Sequence, residues 1–526
     1  MENKLSFEIL YEDGYRIGKA TLNDKSENTP FLLENHKDFL KFGDILIEKP
    51  ISYLVEENYN RKKYDLSVVP LIETPFDISL KEAKKLNDLN ISIITEKEGD
   101  CLPIYLTKYK ELNQELIEVI PEKKLYFFKR IVDERILLDA FFKIRDRYPS
   151  SLFYIDAKGY EIPIFSFIGF DLFLDNGNNC DLFKEYMKNP TPELVEMYSN
   201  GSVNSRRLLK ILYKEYYTSF EQHIRRDFKR SYYIDDISLE RPQVLRWRRE
   251  VSKHYSPSTN LFLLLPCSAK KPYRISKSHI KVISFLRDYL KDKYSNLTQL
   301  ILTSPLGVVP REIEDYTDYD IPVTGYWSQE ELDCLSELLI SILKKTDKPC
   351  IIAHFPEDSP YLKALKKLPY DLLYTNGSLD TLKEYLEIKR DLWDKEPINE
   401  NKNKALKMFS FQFKKEFNLP FDYRGKRNTT EFLFNKKRIG MFENKIKANI
   451  NGGELIKDSL YVNIDFDLKG DIFSKGIIEA SEDIRPGDEV IVLKNNKCIG
   501  IGEAIVSGRI MKKLNRGKVV KIRMRG

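Results

Sequence analysis

Cysteine, from which disulfides and many metal centres are built, is scarce in this sequence of 526 residues. Only six cysteines are present, they lie far apart, and no two of them form a CxxC pair. The sequence therefore predicts neither a disulfide framework nor a structural zinc site. Most of these thiols are best explained as small buried side chains, and one or two remain candidates for reactive groups. The six are Cys101, Cys180, Cys267, Cys334, Cys350 and Cys498.

Long apolar runs and nucleotide-binding glycine motifs are also missing. Apolar runs such as Leu261 to Leu265 fall far short of the roughly 18 to 20 residues that cross a bilayer. The acidic, tyrosine-rich start MENKLSFEILYEDGY does not resemble a signal peptide, so we expect a cytoplasmic protein. Gly500 and Gly502 fall in a strand-like run and not before a helix, so we expect no cofactor and no ATP site.

What the sequence does contain is an α/β pattern long enough for about three or four domains of roughly 150 residues. Residues 1–245 alternate strand-like and helix-like segments, as in a parallel sheet or barrel. Residues 246–400 repeat short apolar strands and amphipathic helices, which indicates a parallel sheet that is buried on both faces. Residues 401–455 suggest a small α+β domain, and residues 456–526 suggest a small β-barrel.

Positive charge is concentrated at the C-terminus. From Lys494 onward there are ten basic side chains and one acidic side chain, whereas the whole chain has a net charge of only +6. A second basic stretch, rich in aromatic residues, extends from Arg206 to Glu250. Both regions suit a phosphate backbone, although the stretch from Arg206 is explained equally well as a solvated Lys/Arg face.

The stretch LFLLLPCSAKKPYRISKSH, from Leu261 to His279, combines an apolar strand with a dense group of reactive side chains. Pro266 ends the strand, so Cys267 is expected at the carboxyl edge of the sheet, where α/β proteins bind ligands. Ser276 or Ser278 is a predicted N-cap, and Lys270 and Lys271 lie close to the thiol in sequence. Cationic neighbours favour the nucleophilic thiolate.

Cys267 is therefore a candidate for covalent catalysis, with His279 or His354 as its proton carrier. From composition and spacing alone, a packing role for Cys267 and the two histidines is the more probable interpretation.

The C-terminal segment from Ser474 resembles a PUA domain: a Lys-Gly pair precedes a strand, IRPGDEV forms a turn, and GIGEA lies in the following strand. The resemblance implies binding to structured RNA, especially tRNA. We expect the tRNA contacts to include Lys512, Lys513, Arg516, Lys518 and Arg523.

The central motif resembles the signature of archaeosine synthases, paralogues of archaeal tRNA-guanine transglycosylase. Pro266-Cys267 is followed after three residues by Lys271-Pro272-Tyr273, and Ser276 and His279 each follow after two more. The downstream segment TSPLGVVPREIEDY also resembles that family. The resemblance implies that residues 1–245 form a degenerate TIM-barrel-like transglycosylase domain. Only Cys180 remains where zinc ligands should cluster, and no nucleophilic aspartate motif is found, so this barrel is expected to hold tRNA without exchanging bases.

The resemblance further implies chemistry on a nitrile. Archaeosine synthases act on 7-cyano-7-deazaguanine at position 15 in the tRNA D-arm and add an amine, most simply the side-chain amine of free lysine, to give an amidine. A radical-SAM partner then completes archaeosine, and homodimerisation is plausible by analogy with the transglycosylases. The implied catalytic residues are Cys267, Lys271 and His279, and the implied substrate-binding residues are Tyr273, Ser276, Ser304, Gly307 and His354.

Several alternatives stay open at this point. Glutamine could supply ammonia to the same nitrile, or the amine could attack the nitrile directly while Cys267 is only structural. The chain could instead be a non-catalytic tRNA-binding subunit or a transglycosylase that still exchanges bases. The complete Cys-Lys-Tyr-Ser-His series argues against a pure scaffold, and the missing zinc ligands argue against base exchange.

Overall fold

A computed structural model of the chain describes its residues in two compact units. It describes every residue except 1–4, 23, 36–38, 49–65, 72, 74–77, 130–132, 158, 175–179, 227–229, 322–326 and 427–428. The first unit comprises Met1–Arg226, Tyr461–Asn496 and Gly502–Arg523, and the second comprises Asp227–Leu460, Lys497–Ile501 and Met524–Gly526. Most of the predicted segment 1–245 thus shares a unit with most of segment 456–526. Segment 246–400 shares a unit with segment 401–455. The predicted boundaries at residues 245, 400 and 455 stay predictions.

The N-terminal part of the first unit combines a small antiparallel sheet with a larger sheet covered by helices. Its strands are β1 (Ser6–Asp13), β2 (Tyr15–Leu22), β3 (Lys25–Thr29), β4 (Phe31–Asn35), β5 (Phe39–Phe42), β6 (Ile45–Glu48), β7 (Cys101–Ile104), β8 (Leu125–Phe128), β9 (Leu152–Ile155) and β10 (Leu172–Leu174). Its helices are α1 (Leu80–Glu96), α2 (Lys110–Val119), α3 (Glu134–Arg147), α4 (Ile162–Phe167), α5 (Cys180–Lys188), α6 (Pro192–Ser199), α7 (Val203–Glu215) and α8 (Tyr217–Glu221).

The larger sheet has the strand order β6-β5-β4-β10-β9-β8-β7. Strands β4 and β7 to β10 pair in parallel, whereas β5 pairs antiparallel with both β4 and β6. Two isolated parallel bridges, Ile47 to Leu66 and Val68 to Cys101, link both outer strands to one short segment. The described pairings therefore form a closed ring, with mixed strand directions where a (β/α)₈ barrel has only parallel ones. Residues 175–179 and the side chain of Cys180, where we looked for zinc ligands, lie outside the described residues.

Charged side chains are buried inside this part of the molecule, and each has a partner. Arg16 forms an ion pair with Asp171 and donates to the carbonyl oxygens of Pro149 (2.8 Å) and Ser151 (2.9 Å). Glu12 accepts hydrogen bonds from Arg145 and His223, each at 3.0 Å. Burial alone would raise the pKa of Glu12, but His223 and Arg145 together lower it, so the carboxylate stays charged.

The central domain lies in the second unit and contains the motif region. Its strands are β11 (Ser231–Tyr232), β12 (Leu261–Pro266), β13 (Thr298–Thr303), β14 (Gly307–Pro310), β15 (Tyr319–Asp320), β16 (Cys350–Ala353) and β17 (Leu372–Tyr374). Its helices are α9 (Pro242–His254), α10 (Lys277–Leu290), α11 (Gln329–Leu343), α12 (Tyr361–Leu365), α13 (Leu379–Ile388) and α14 (Arg390–Trp393).

The main sheet of this domain has the order β14-β13-β12-β16-β17, and β12, β13, β16 and β17 are parallel. The first five residues of β12 are all buried, as expected for a strand with helices on both faces. The parallel sheet predicted from its apolar runs is therefore confirmed. The sequence analysis missed β14, which forms an antiparallel hairpin with β13.

The predicted α+β segment after the central domain forms two helices and a four-stranded antiparallel sheet. Its elements are α15 (Glu400–Gln412), β18 (Asp422–Lys426), β19 (Thr429–Phe434), β20 (Lys437–Glu443), β21 (Lys445–Ala448) and α16 (Ile450–Leu455), and the strands pair in chain order. Aromatic rings fill its core: Phe409 stacks on Phe421 at 4.4 Å and meets Phe432 edge-on at 5.1 Å.

The C-terminal segment forms a six-stranded sheet. Its elements are β22 (Tyr461–Asn463), β23 (Ile472–Phe473), β24 (Glu479–Ala480), β25 (Glu489–Lys494), β26 (Lys497–Ala504), α17 (Gly508–Met511) and β27 (Lys518–Arg525). Asn495 and Asn496 both have positive φ and connect β25 to β26, which confirms the predicted hairpin. Within the first unit, Ser507 donates its backbone N–H to Glu12, and Arg485 pairs with Glu221 at 3.1 Å.

The described residues contain neither a membrane-spanning helix nor a cluster of metal ligands. Among them, no helix is both long enough and apolar enough to span a membrane. The same part of the chain holds no group of three or more His, Cys, Asp or Glu side chains arranged to bind a metal ion.

Candidate active site at the carboxyl edge of the central sheet

Cys267 lies where the sequence placed it, immediately after the carboxyl end of β12. The neighbouring strands end beside it, because Pro266 pairs with Leu302 on one side and Leu264 pairs with Ala353 on the other. The thiol is exposed, in contrast to the buried strand that precedes it. A nucleophile in this position is accessible and is held by a rigid element.

Tyr361, the first residue of α12, donates a hydrogen bond from its phenol to the sulfur of Cys267 at 3.1 Å. Its ring is buried between Trp327 (4.7 Å) and Phe355 (5.3 Å), which fixes the direction of the hydroxyl group. Burial raises the pKa of Tyr361, and the negative charge of Cys267 raises it further. The phenol therefore keeps its proton and remains a hydrogen-bond donor to the sulfur of Cys267.

Lys271 is the second charged group of the site. Its ammonium lies over the ring of Tyr319, 4.0 Å from the centroid. Partial burial lowers the pKa of Lys271, although the charges of Cys267 and Asp320 act in the opposite direction. A lysine with a lowered pKa gives up its proton more readily than a solvated one, as a group that carries protons must.

Tyr273 is fully buried beneath this lysine. Its hydroxyl bonds to that of Tyr319 at 2.7 Å and to that of Thr303 at 3.3 Å, and Thr303 also bonds to Tyr319. The three hydroxyl groups form a closed cluster. Tyr273 thus supports the ring on which Lys271 rests and does not line an open surface in this structure, and its role in contacting substrate stays a prediction.

Ser276 and His279 hold the start of α10 in place. Ser276 caps the helix by accepting the backbone N–H of His279, which confirms the predicted N-cap. His279 is only 3% exposed, and its Nδ1 and Nε2 lie 2.8 Å from Arg311 and 2.9 Å from the carbonyl oxygen of Pro266. Because a guanidinium can only donate, Nδ1 accepts and Nε2 carries the proton.

These contacts oppose the role of proton carrier that the sequence analysis gave to His279. Burial and the charge of Arg311 lower the pKa of His279 to about 4, so the imidazole is neutral at physiological pH. Both ring nitrogens are already bonded within the protein. His279 therefore holds the end of β12, and with it Cys267, in place, and its role as a proton carrier stays a prediction.

Ser304 and Gly307 belong to the hairpin between β13 and β14. Ser304 donates to Glu331 at 2.7 Å, and Glu331 in turn completes the capping box of α11 with Ser328. Gly307 has a φ of 82°, and an added Cβ would lie 3.0 Å from Leu338. Gly307 is therefore required by the turn. Ser304 lies at the same sheet edge as Cys267.

His354 follows β16 at this edge and is 7% exposed. Its Nδ1 lies 2.7 Å from the hydroxyl of Thr375, which follows β17. Burial and the charge of Lys281 lower the pKa of His354, so it too is neutral. It remains a candidate for contact with substrate.

The predicted tRNA-binding cations of the C-terminal segment mostly have partners in the protein. Lys513 donates to the carbonyl oxygen of Asp146 (2.8 Å), Arg516 donates to Ser6 (2.6 Å), and Lys518 pairs with Asp471 (3.2 Å). Arg523 pairs with Glu489, and Lys512 is exposed. Lys513 and Arg516 thus help to attach the C-terminal segment to the N-terminal part of the first unit.

Sequence reasoning missed Tyr361, Tyr319 and Arg311. Tyr361 lies 94 residues beyond Cys267, and an isolated tyrosine in a short helix carries no motif. Only the position of HFPEDSP after β16 gave a signal, because the loop that follows a strand end leads back across the site.

Two family models match the chain. Residues 244–388 match a domain of unknown function (DUF5591), and residues 464–525 match the PUA domain. The first match contains Cys267, Lys271 and Tyr361, and the second covers every strand of the C-terminal sheet except β22. The protein is thus a mixed α/β protein with several sheets, a thiol-centred candidate active site and a C-terminal PUA domain.

Three relatives identify the family within this class of protein. Archaeosine synthase subunit alpha of Thermococcus kodakarensis is 30% identical over 98% of this chain and 99% of its own length. Archaeosine synthase of Methanocaldococcus jannaschii is 29% identical over 79% and 83% of the two chains. Archaeosine synthase subunit alpha of Thermoplasma acidophilum is 31% identical over 63% and 67%. The chain belongs to the archaeosine synthase family, a family of tRNA-modifying enzymes.

Proposed function

We propose that the protein adds the side-chain amine of free lysine to the nitrile of 7-cyano-7-deazaguanine in the tRNA D-arm and forms an amidine. Membership of the archaeosine synthase family supports the substrate and the place in archaeosine biosynthesis. The observation that carries the mechanism is the exposed thiol of Cys267, which accepts a hydrogen bond from Tyr361 at a strand end beside Lys271.

The first step is addition of the Cys267 thiolate to the nitrile carbon. A carbon–sulfur bond forms, one π bond of the nitrile becomes a lone pair on nitrogen, and the ammonium of Lys271 supplies a proton to that nitrogen. The product is a thioimidate. The lowered pKa of Lys271 favours this transfer, and Tyr361 stabilises the thiolate before it attacks.

The second step is displacement of sulfur by the amine. The neutral amine attacks the thioimidate carbon, the carbon–nitrogen bond forms, and the carbon–sulfur bond breaks to restore the Cys267 thiolate. The proton that leaves the attacking amine returns to Lys271, which is neutral after the first step. No atom of the base or of the amine is lost, so the product is heavier than the nitrile by one whole lysine.

The remaining residues of the edge have positioning roles in this scheme. His279 and Ser276 hold the backbone around Cys267, and Tyr273 supports Lys271 through Tyr319. Ser304 and His354 are the polar side chains that we expect to contact the base or the amine.

The N-terminal part of the first unit is proposed to be a degenerate transglycosylase-like barrel that holds tRNA together with the PUA domain. The closed ring of strand pairings through Leu66 and Val68 supports this proposal, because closure is the property that a barrel requires. Lys512, which is exposed on the PUA domain, is the best placed of the predicted cations to contact RNA.

Membership of the same family also suggests binding partners and a cellular location for the protein. Two of the three relatives described above are named as alpha subunits, which supports the expectation of a separate partner enzyme, proposed here to be of the radical-SAM type. A homodimer and a cytoplasmic location are further expectations.

Two alternatives make different predictions. Glutamine-derived ammonia would convert the nitrile directly to the unsubstituted amidine, and a non-catalytic subunit would bind tRNA and leave the nitrile unchanged. The hydrogen bond from Tyr361 to Cys267 favours an enzyme, because a pure scaffold does not need an exposed sulfur with a dedicated hydrogen-bond donor.

The test is mass spectrometry of nucleosides from tRNA that carries 7-cyano-7-deazaguanine, after incubation with the protein and free lysine, or with glutamine in parallel. A nucleoside heavier by one whole lysine supports the proposal. The unsubstituted amidine in the glutamine tube would select the ammonia route. Unchanged nitrile in both tubes, with tRNA binding intact, would overturn the catalytic proposal for the isolated chain.

A further inference from the structure

The exposed face of helix α7 carries a row of cations beside a cavity. Arg206, Lys210 and Lys214 recur at intervals of four residues, so they lie along one side of the helix. Arg207, Lys210 and Lys214 are exposed, and Arg206 is half-buried. The row is about 12 Å long at 1.5 Å per residue.

The cavity in front of this row has a volume of about 560 Å³. Among the described residues, its lining includes all four cations and one carboxylate, that of Glu215. Glu134, from α3, pairs with Arg207 at 2.7 Å. Cations thus outnumber carboxylates in the described lining of this open, concave surface, and such a surface attracts a polyanion.

The helix that contributes Glu134 also reaches the PUA domain. Asp146, twelve residues farther along α3, accepts the hydrogen bond of Lys513 through its carbonyl oxygen. The basic cavity is therefore about 18 Å along one helix from the point where the PUA domain is attached. Both surfaces lie in the first unit, so one RNA molecule could contact both.

We infer that this face of α7 is a second RNA-binding surface, which contacts the phosphate backbone of the tRNA outside the PUA domain. The inference rests on the proposed function, since that function supplies the RNA. A row of about 12 Å matches on the order of three successive phosphates of one strand, more than a single small anion offers.

The test compares the Lys210→Ala/Lys214→Ala variant of the full-length protein with a matched variant, Lys81→Ala/Lys85→Ala, which removes two exposed lysines four residues apart on α1. The measured quantity is the Kd for tRNA at several salt concentrations. Each lost phosphate contact lowers the slope of log K against log salt concentration by about one. We expect the α7 variant to bind at least about tenfold more weakly with a slope reduced by about two, and the α1 variant to match the wild type.

Wild-type Kd and slope in the α7 variant would overturn the inference. In that case normal conversion of the nitrile at saturating tRNA would leave the proposed function standing. If the unaltered protein neither binds nor modifies tRNA, the proposed function fails, and the inference fails with it. Circular dichroism and thermal unfolding of both variants check that the exposed substitutions leave the fold intact.

Discussion

The N-terminal part of the first unit and the edge of the central sheet both concentrate ionisable side chains, but they differ in exposure. Around Glu12 and Arg16 the charges are buried and satisfy one another. Around Cys267 the supporting groups Tyr361 and Tyr273 are buried, whereas the thiol itself faces solvent. Fully buried ion pairs, such as those of Glu12 and Arg16, stabilise a fold. A site in which buried groups support one solvent-exposed side chain, such as Cys267, can perform chemistry.

Removing the exposed thiol of Cys267 should have the largest effect on activity. We expect Cys267→Ala to lower conversion of the nitrile by at least about 1,000-fold, because the covalent step then has no nucleophile. Stability should hardly change, since the side chain is exposed. Cys350→Ala, which removes a half-buried thiol at the opposite end of the sheet, is the matched control. Near-normal turnover by Cys267→Ala would instead establish direct attack by the amine.

Breaking the buried ion pair between Arg16 and Asp171 should destabilise the folded protein. We expect Arg16→Met to lower the unfolding free energy by about 3–5 kcal/mol, because Asp171 is left buried without its counter-ion. Arg287→Met breaks the half-exposed pair with Glu400 and should cost less than about 1 kcal/mol. Urea unfolding followed by circular dichroism measures both. Equal effects would show that the buried pair has no special role in stability.

The pH dependence of stability tests the neutral state assigned to the buried His279. Its pKa is lowered to about 4 from an ordinary value of 6.5, so the folded state resists protonation. The resulting stability is fully present above pH 6.5, falls as the pH drops toward 4, and amounts to roughly 3 kcal/mol. We expect His279→Gln to flatten this part of the stability profile. An NMR titration that finds a charged imidazole at pH 6 would contradict the assignment.

The hydrogen bond from Tyr361 should give the smallest effect. A hydrogen bond to a charged group contributes about 1.5–3 kcal/mol. Under the proposed mechanism, loss of this bond in Tyr361→Phe should lower the rate of Cys267 alkylation at neutral pH about tenfold. Peptide mass spectrometry after iodoacetamide treatment measures this rate. Tyr374→Phe, in an exposed tyrosine of the same sheet, should leave the rate unchanged. An unchanged rate in Tyr361→Phe would remove the phenol from the mechanism.

Local patterns predicted the elements well. The apolar runs of β12, β13 and β16 and the cap at Ser276 follow from residues that are adjacent in sequence. The position of Cys267 followed from Pro266 and from the rule for strand ends. The hairpin strand β14 was missed because its pairing with β13 depends on a turn at Gly307 that has no distinctive signature.

Roles within the site were harder to predict than positions. Lys271 and His279 both belong to the signature, yet the structure directs Lys271 toward the ring of Tyr319 and seals His279 between Arg311 and Pro266. Sequence spacing shows that a side chain is present, but its protonation depends on burial and on neighbours that are distant in sequence.

The sequence by itself determined the parallel central sheet, the thiol at its edge and the basic PUA domain, because each depends on short-range periodicity, turn chemistry or local charge. Only the tertiary structure decided that Tyr361 donates a hydrogen bond to Cys267 and that His279 is neutral. It also decided that Lys513 and Arg516 attach the PUA domain to the N-terminal part of the first unit. These outcomes arise from contacts between residues up to 510 positions apart, and the energies of such contacts depend on a burial that no local pattern encodes.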